Sequence, residues 1–416
     1  MQGVRVPSLP FPRSDLAADP GVNPGLQPRH PAQRALRVTP NDLHKDCARL
    51  LVAGFEGTSL PPELANALSN HRLGGAILFA RNLQSVQQTV ELTSSIHACT
   101  SEFQPFVAID QEGGRVQRLK EPPFTRIPPM LTVGDARDPR LAMRIGEAIG
   151  AELEVLGFNL NFAPVADVFT NPLNQVIGDR AFGRDPDTVA RMAGAVMLGL
   201  MQSGVIPCAK HFPGHGDTTA DSHHELPTVL HDAERLQKLE LSPFQTLIRA
   251  RVPMIMTAHV LVPAVDARHP ATLSEQWIAQ ILRRQMKFGG VVVSDDLEMH
   301  AVADRYSIAD MMEAGLHAGV DLFLICRTWS KVEAAFEALV RLGERSSRER
   351  DLIALAAGRI RQLHTDWMRP WTFDPDRLQV LGCDEHQALM QQAIDLARQK
   401  AEAIAADSSD PTDYRP

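Results

Sequence analysis

Between residues 49 and 327 the chain alternates two hydrophobic patterns. One is a short, near-continuous apolar run: RLLVAGFEG (49–57), LGGAILFA (73–80), PFVAIDQEGG (105–114), NFAPVADV (161–168), VIPCAKHF (205–212), VPMIMTAHV (252–260), GGVVVSDDL (289–297) and VDLFLICR (320–327). Runs of this kind suit parallel strands buried on both faces; an antiparallel sheet with one wet face would alternate apolar and polar positions. The other pattern has helical period. DPRLAMRIGEAIGAELEVLG (138–157) and DPDTVARMAGAVMLGLMQSG (185–204) both open on Asp-Pro, an N-cap followed by a first-turn proline, and both close on Gly. DAERLQKLELSPFQTLIRA (232–250) is a third such stretch, with a break or kink expected at Pro243. Eight strands interleaved with helices predict an α/β fold, a single (β/α)8 TIM-type barrel longer than the usual ~250 residues because of loops at its active face. An open doubly wound sheet would carry a GxGxxG turn after an early strand, and no such turn is present.

The flanks lack this alternation. Residues 1–45 scatter proline and arginine without a period and read as a disordered extension; the barrel is assigned to 46–371. Residues 372–416 hold one amphipathic helix, roughly 385–405, and a polar end, SSDPTDYRP, a surface helix with a frayed end rather than a second domain. The N-terminus has no apolar core of a secretory signal, and no apolar run reaches the roughly 20 residues of a membrane span. Net charge is −8, which counts against a general affinity for nucleic acid or anionic membranes. Cys47, Cys99, Cys208, Cys326 and Cys383 are scattered, odd in number and free of any CxxC, so neither a disulfide framework nor a zinc knuckle is expected. A reducing cytoplasm fits this cysteine usage.

In a barrel the reacting groups sit at the C-terminal ends of strands and on the loops that follow. Polar residues collect there: Asp110, Asp167, Lys210-His211, His259 and Ser294-Asp295-Asp296. The fifth strand runs into KHFPGHGDTTADSHHELP (210–227), which packs four histidines, two aspartates and a glutamate into one stretch. His211 and His215 stand four positions apart, but at a strand end rather than on a helix, and no HExxH occurs, so a metal site is not expected. Of the neighbours Asp295 and Asp296, strand alternation points only one into the site. Asp296 suits a cap on the following LEMHAVAD helix. His224 and His231 read as surface residues, His215 as shaping the loop, Glu112 and Arg115 as bracing the Gly-Gly turn, and Cys208 and Cys326 as buried packing residues.

DQEGGRVQR (110–118), GDRAFG (178–183), KHFPGHG (210–216), DSH (221–223) and SDDLEM (294–299) together resemble the bacterial β-N-acetylhexosaminidases of glycoside hydrolase family 3, the peptidoglycan-recycling type. The resemblance runs from about residue 50 to about residue 330. It implies a retaining, two-step glycosidase with Asp295 as nucleophile, His223 as acid/base and Asp221 orienting that imidazole. It also implies sugar-binding roles for Asp110, Arg118, Arg180, Lys210 and His211. The implied substrate is a terminal β-linked N-acetylglucosamine on peptidoglycan-derived muropeptides, cleaved in the cytoplasm by a monomer that needs no cofactor and binds no nucleic acid or membrane. An imidazole near pKa 6.5 suits both halves of such a reaction, as proton donor and then as base. The implied loop position of His223 leads to an expectation of mobility between Gly214 and Leu226. Competing readings are a family 3 β-glucosidase, a glycoside phosphorylase, a metal-dependent hydrolase and a non-catalytic sugar-binding barrel.

Overall fold

The computed structural model describes residues 40–99, 103–218 and 226–408. The strands are β1 (Leu51–Ala53), β2 (Gly75–Leu78), β3 (Phe106–Ile109), β4 (Leu160–Asn161), β5 (Ile206–Phe212), β6 (Met254–Thr257), β7 (Val291–Asp296) and β8 (Leu322–Ile325). They pair in chain order, all parallel, and β1 closes on β8 through Leu51–Phe323, Val52–Leu324 and Ala53–Ile325. The α/β barrel predicted from the apolar runs is therefore present. Closure leaves no sheet edge, and the strands are buried along nearly their whole length. Contact between β1 and β8 is close enough that a Cβ at Gly54 would lie 2.1 Å from the Cys326 carbonyl oxygen.

Helical caps follow the sequence rules. Asp138 accepts from the amides of Arg140 and Leu141 at the start of the helix Pro139–Val155, and Asp185 accepts from Thr188 at the start of Pro186–Gln202. Gly157 and Gly204 beyond their ends take positive φ, +87° and +81°, a conformation glycine adopts without a Cβ penalty.

Two local expectations are corrected. The fourth run, NFAPVADV, forms a ladder only over Leu160–Asn161; Pro164 has no N–H to give, and pairing resumes as a single bridge between Val165 and Lys210. The helical stretch after residue 232 breaks at Leu239–Glu240, not at Pro243, giving helices Ala233–Lys238 and Leu241–Arg249. Pro243 is the third residue of the second helix, in a first turn whose N–H groups have no intrahelical acceptor.

The C-terminal helix, Asp384–Ser408, packs on the barrel flank with Leu389, Met390 and Ala393 buried. Trp371 donates to the Glu154 carbonyl at 2.9 Å and stacks on His97, His386 meets Glu152 at 3.0 Å, and Lys400 donates to the Ala136 carbonyl at 2.7 Å. No helix among the described residues is long and apolar enough to cross a membrane.

Candidate active site

The strand ends converge on a cavity of about 360 Å³ at the C-terminal face. Its wall includes Asp110 and Glu112 after β3, Phe162 after β4, Lys210 and His211 on β5, Asp295 and Asp296 on β7, and Cys326 after β8, with Arg118, Arg180 and His215 from loops. Asp110, Arg118, Arg180, Lys210, His211 and Asp295, singled out from the sequence, are thus brought into one space. Asp221, His223 and His224 lie outside the described residues, as does the middle of the segment expected to be mobile.

One side of the cavity is a charge lattice. Lys210 Nζ lies 2.7 Å from Asp110 Oδ1 and 2.6 Å from Glu112 Oε1. Arg180 grips Glu112 with two bonds, Nε to Oε2 and Nη2 to Oε1, both 2.8 Å. Arg118 Nη2 reaches Asp110 Oδ2 at 3.3 Å, its guanidinium 5.5 Å from the centre of the Phe79 ring. Burial alone would push the Glu112 carboxyl up, but Arg180 and Lys210 outweigh it and hold the group well below its usual range. Asp110 is likewise held low, with Lys210 and Arg118 overcoming burial. In return the two carboxylates keep Lys210 charged against burial and raise its pKa.

The two acids differ in what they have left to give. Each Asp110 oxygen makes one of these contacts, so lone pairs remain for a ligand hydroxyl. Glu112, with a side chain 1% exposed, is enclosed by its cations. Its expected role as a turn brace is corrected: it is the shared counter-ion that holds Arg180 and Lys210 in place. Arg115 does brace, donating to the carbonyls of Val176 (2.7 Å) and Ile177 (3.0 Å). Glu112→Gln removes the charge that two buried cations face, and a global stability loss of about 3–5 kcal/mol is expected. Urea unfolding measures it; a loss under about 1 kcal/mol would mean the cations find other partners.

Beneath the lattice, Asp167 is fully buried and organises two histidines. It accepts from His211 Nδ1 at 2.7 Å and from the His215 amide at 2.7 Å. The Nδ1 proton of His211 is thereby directed at Asp167, and Nε2 faces Arg180 Nη2 at 3.4 Å. His215 meets Thr218 Oγ1 at 2.8 Å and its carbonyl accepts from Asn174 at 2.7 Å. Burial, reinforced by His211, pushes the His215 imidazole down to about 4. His215 thus shapes the loop, as expected. Asp167 settles as a buried acceptor rather than a wall of the cavity. His259 is likewise buried away from the cavity wall: its Nε2 donates to the Asp296 carbonyl (3.0 Å) and its Nδ1 meets Thr272 Oγ1 (2.8 Å).

Expected alternation at Asp295-Asp296 is also corrected, since both line the cavity. The β7–β8 register shifts between Val293 and Asp296, and a bulge of this sort re-aims side chains at a barrel rim. The two carboxyls remain distinct. Asp296 Oδ1 accepts from the amides of Glu298 (3.0 Å) and Cys326 (3.2 Å), holding the turn after β7, while Met299 stands at the N-cap of the short helix His300–Ala303. The one hydrogen bond described for the Asp295 side chain is to Oδ1, from the Asp296 amide at 2.8 Å. Burial, then the neighbouring Asp295 and Glu298 charges, raises Asp296 to about 6.

A carboxyl raised on folding stabilises the fold in its protonated form. That contribution is complete below the unfolded value near ~3.9 and is lost as pH rises through about 6. Asp296→Asn keeps the Oδ1 acceptor without the charge. It is expected to raise stability at pH 7 by on the order of 1–2 kcal/mol and to flatten the decline between about pH 4 and pH 6. Denaturation midpoints across that range measure it; an unchanged slope would contradict the assignment.

Cys208 and Cys326 are buried, and burial pushes both thiols well up. Among the described residues no cluster of three or more His, Cys, Asp or Glu is arranged to hold a metal ion.

Residues 44–363 match the family described as glycosyl hydrolase family 3 N terminal domain. A relative from Nitrosomonas eutropha named beta-hexosaminidase is 43% identical over 282 residues, covering 66% of this chain and 80% of its own. A beta-hexosaminidase from Bordetella pertussis is 39% identical over 344 residues, covering 81% and 93%. Among solved structures, a family 3 β-N-acetylglucosaminidase from Paenibacillus sp. superposes with a TM-score of 0.80 at 36% identity, covering 85% of this chain and 68% of that one. NagZ from Neisseria gonorrhoeae in complex with N-trifluoroacetyl-D-glucosamine gives 0.70 at 33% identity, covering 84% and 98%. With a closed barrel, a carboxylate-lined cavity at its C-terminal mouth and a family match over most of its length, the chain is a glycoside hydrolase and belongs to glycosyl hydrolase family 3.

Proposed function

We propose that this protein is a retaining exo-β-N-acetylglucosaminidase that removes terminal β-linked N-acetylglucosamine from peptidoglycan-derived muropeptides, acting in the cytoplasm as a monomer. The observation that carries the reading is the arrangement around the cavity: a carboxylate, Asp295, on β7 beside a wall of paired charges after β3 and on β5. The relatives' names and the bound sugar derivative in the NagZ structure support the choice of sugar.

In the first step a carboxylate oxygen of Asp295 bonds to the anomeric carbon. The glycosidic bond breaks, and His223, held by Asp221, gives its proton to the departing oxygen. In the second step neutral His223 takes a proton from water, the water oxygen bonds to the anomeric carbon, and Asp295 leaves as a carboxylate. Asp221 fixes the imidazole tautomer and stabilises the imidazolium, as an aspartate does in a Ser-His-Asp triad. Asp110 accepts from ring hydroxyls through its remaining lone pairs, Arg118, Arg180 and Lys210 donate around the sugar, and His211, its Nδ1 proton held by Asp167, offers Nε2 as an acceptor.

Paired assays with aryl β-N-acetylglucosaminide and aryl β-glucoside test the substrate. The acetamido sugar is expected to turn over faster by kcat/KM, and a muropeptide bearing terminal N-acetylglucosamine is expected to release that sugar. Faster glucoside turnover would overturn the reading.

A further inference from the structure

Outside the cavity, one carboxylate ties together the chain on both sides of the segment that follows β5. Asp217 Oδ1 accepts from Thr170 Oγ1 at 2.6 Å and from Arg235 Nη2 at 3.1 Å, and its Oδ2 meets His231 Nε2. These partners come from three places: the loop after β4, the chain fourteen positions downstream, and the helix Ala233–Lys238. Arg235 Nε continues the chain of charges to Glu240, 3.5 Å away, whose buried side chain lies against Gly214. Gly214 has φ +127°, and a Cβ there would come within 2.9 Å of the Glu240 Cβ. The downstream stem is fixed separately: Leu261 donates to the Pro227 carbonyl and accepts from the Val229 amide, both at 2.8 Å. The expectation that His231 is a surface residue without a task is therefore corrected.

We infer that Asp217, with His231 and Arg235, is a positioning clasp for the catalytic acid/base. None of the three lines the cavity. By holding the ends of a fourteen-position span within hydrogen-bonding distance, they restrict the conformations open to the residues between. His223 falls within that span, so the inference rests on the acid/base reading above. A general acid contributes only when its proton meets the leaving oxygen, and a loosely held one loses much of that effect. The clasp therefore acts on the step that needs a proton and leaves sugar binding at Asp110, Arg118 and Lys210 intact.

The test uses the full chain with 2,4-dinitrophenyl and phenyl N-acetyl-β-glucosaminides, whose leaving groups need little and much proton donation respectively. Asp217→Ala and His231→Ala are expected to lower kcat/KM on the phenyl glycoside by about 10–100-fold, against under about threefold on the dinitrophenyl one. His231→Gln, which keeps a donor toward Asp217, is expected to recover most of the loss. His223→Gln serves as reference and is expected to show the same split, only larger. A split in His223→Gln that is absent from both clasp variants, whether they lose equally on the two glycosides or not at all, overturns the clasp and leaves the acid/base assignment standing. Equal losses in His223→Gln overturn that assignment, and the clasp with it.

Discussion

Asp295→Ala is expected to lower kcat by about 10⁴-fold or more while the folded protein still binds N-acetylglucosamine, because the variant would lack the carboxylate proposed as nucleophile. The neighbouring position is the control. Asp296 also lines the cavity, yet its Oδ1 is engaged by the amides of Glu298 and Cys326 and holds the turn after β7. Asp296→Asn, which keeps that acceptor, is expected to lose under about tenfold in kcat, as befits a group that shapes the site without reacting. Excess azide is expected to restore turnover in Asp295→Ala by attacking the anomeric carbon from the space the side chain leaves, giving a glycosyl azide of inverted configuration. A large loss at 296 with a small one at 295 would exchange their roles.

His223→Ala is expected to lower kcat/KM by about 10²–10⁴-fold on substrates with poor leaving groups, the usual worth of a positioned general acid. The pH profile carries the sharper signature. In the wild type, kcat/KM is expected to fall on the alkaline side as the imidazole loses the proton it must donate. The variant has no such group, so its alkaline limb is expected to disappear. Retention of the alkaline limb would assign the donated proton to another group.

The barrel was legible because parallel strands covered on both faces leave near-continuous apolar runs, a local signal that each of the eight segments carries. What stayed hidden depends on partners far along the chain. Glu112 sits beside two glycines and reads as a turn residue; its enclosure requires Arg180, 68 positions away, and Lys210 on β5. Asp167 ends an apolar run as several acids do, and only the course of β5 and the curl of the chain after it put His211 and His215 against it. Alternation failed at Asp295-Asp296 because the β7–β8 register slips there, and a bulge depends on the neighbouring strand as much as on its own residues. Pro164 did carry a local signal against a long fourth strand, since it cannot donate to a ladder. Asp217 and His231 had no sequence signal at all: a separation of fourteen positions gave no hint that they meet.

The most direct measurement is to trap the glycosyl-enzyme with a 2- or 5-fluoro N-acetylglucosamine analogue and map the modified peptide by mass spectrometry. A single sugar on Asp295, absent from Asp295→Ala and formed more slowly in His223→Ala, is the predicted result. A sugar on any other residue, or turnover of the analogue with no covalent species at any time, would contradict the account.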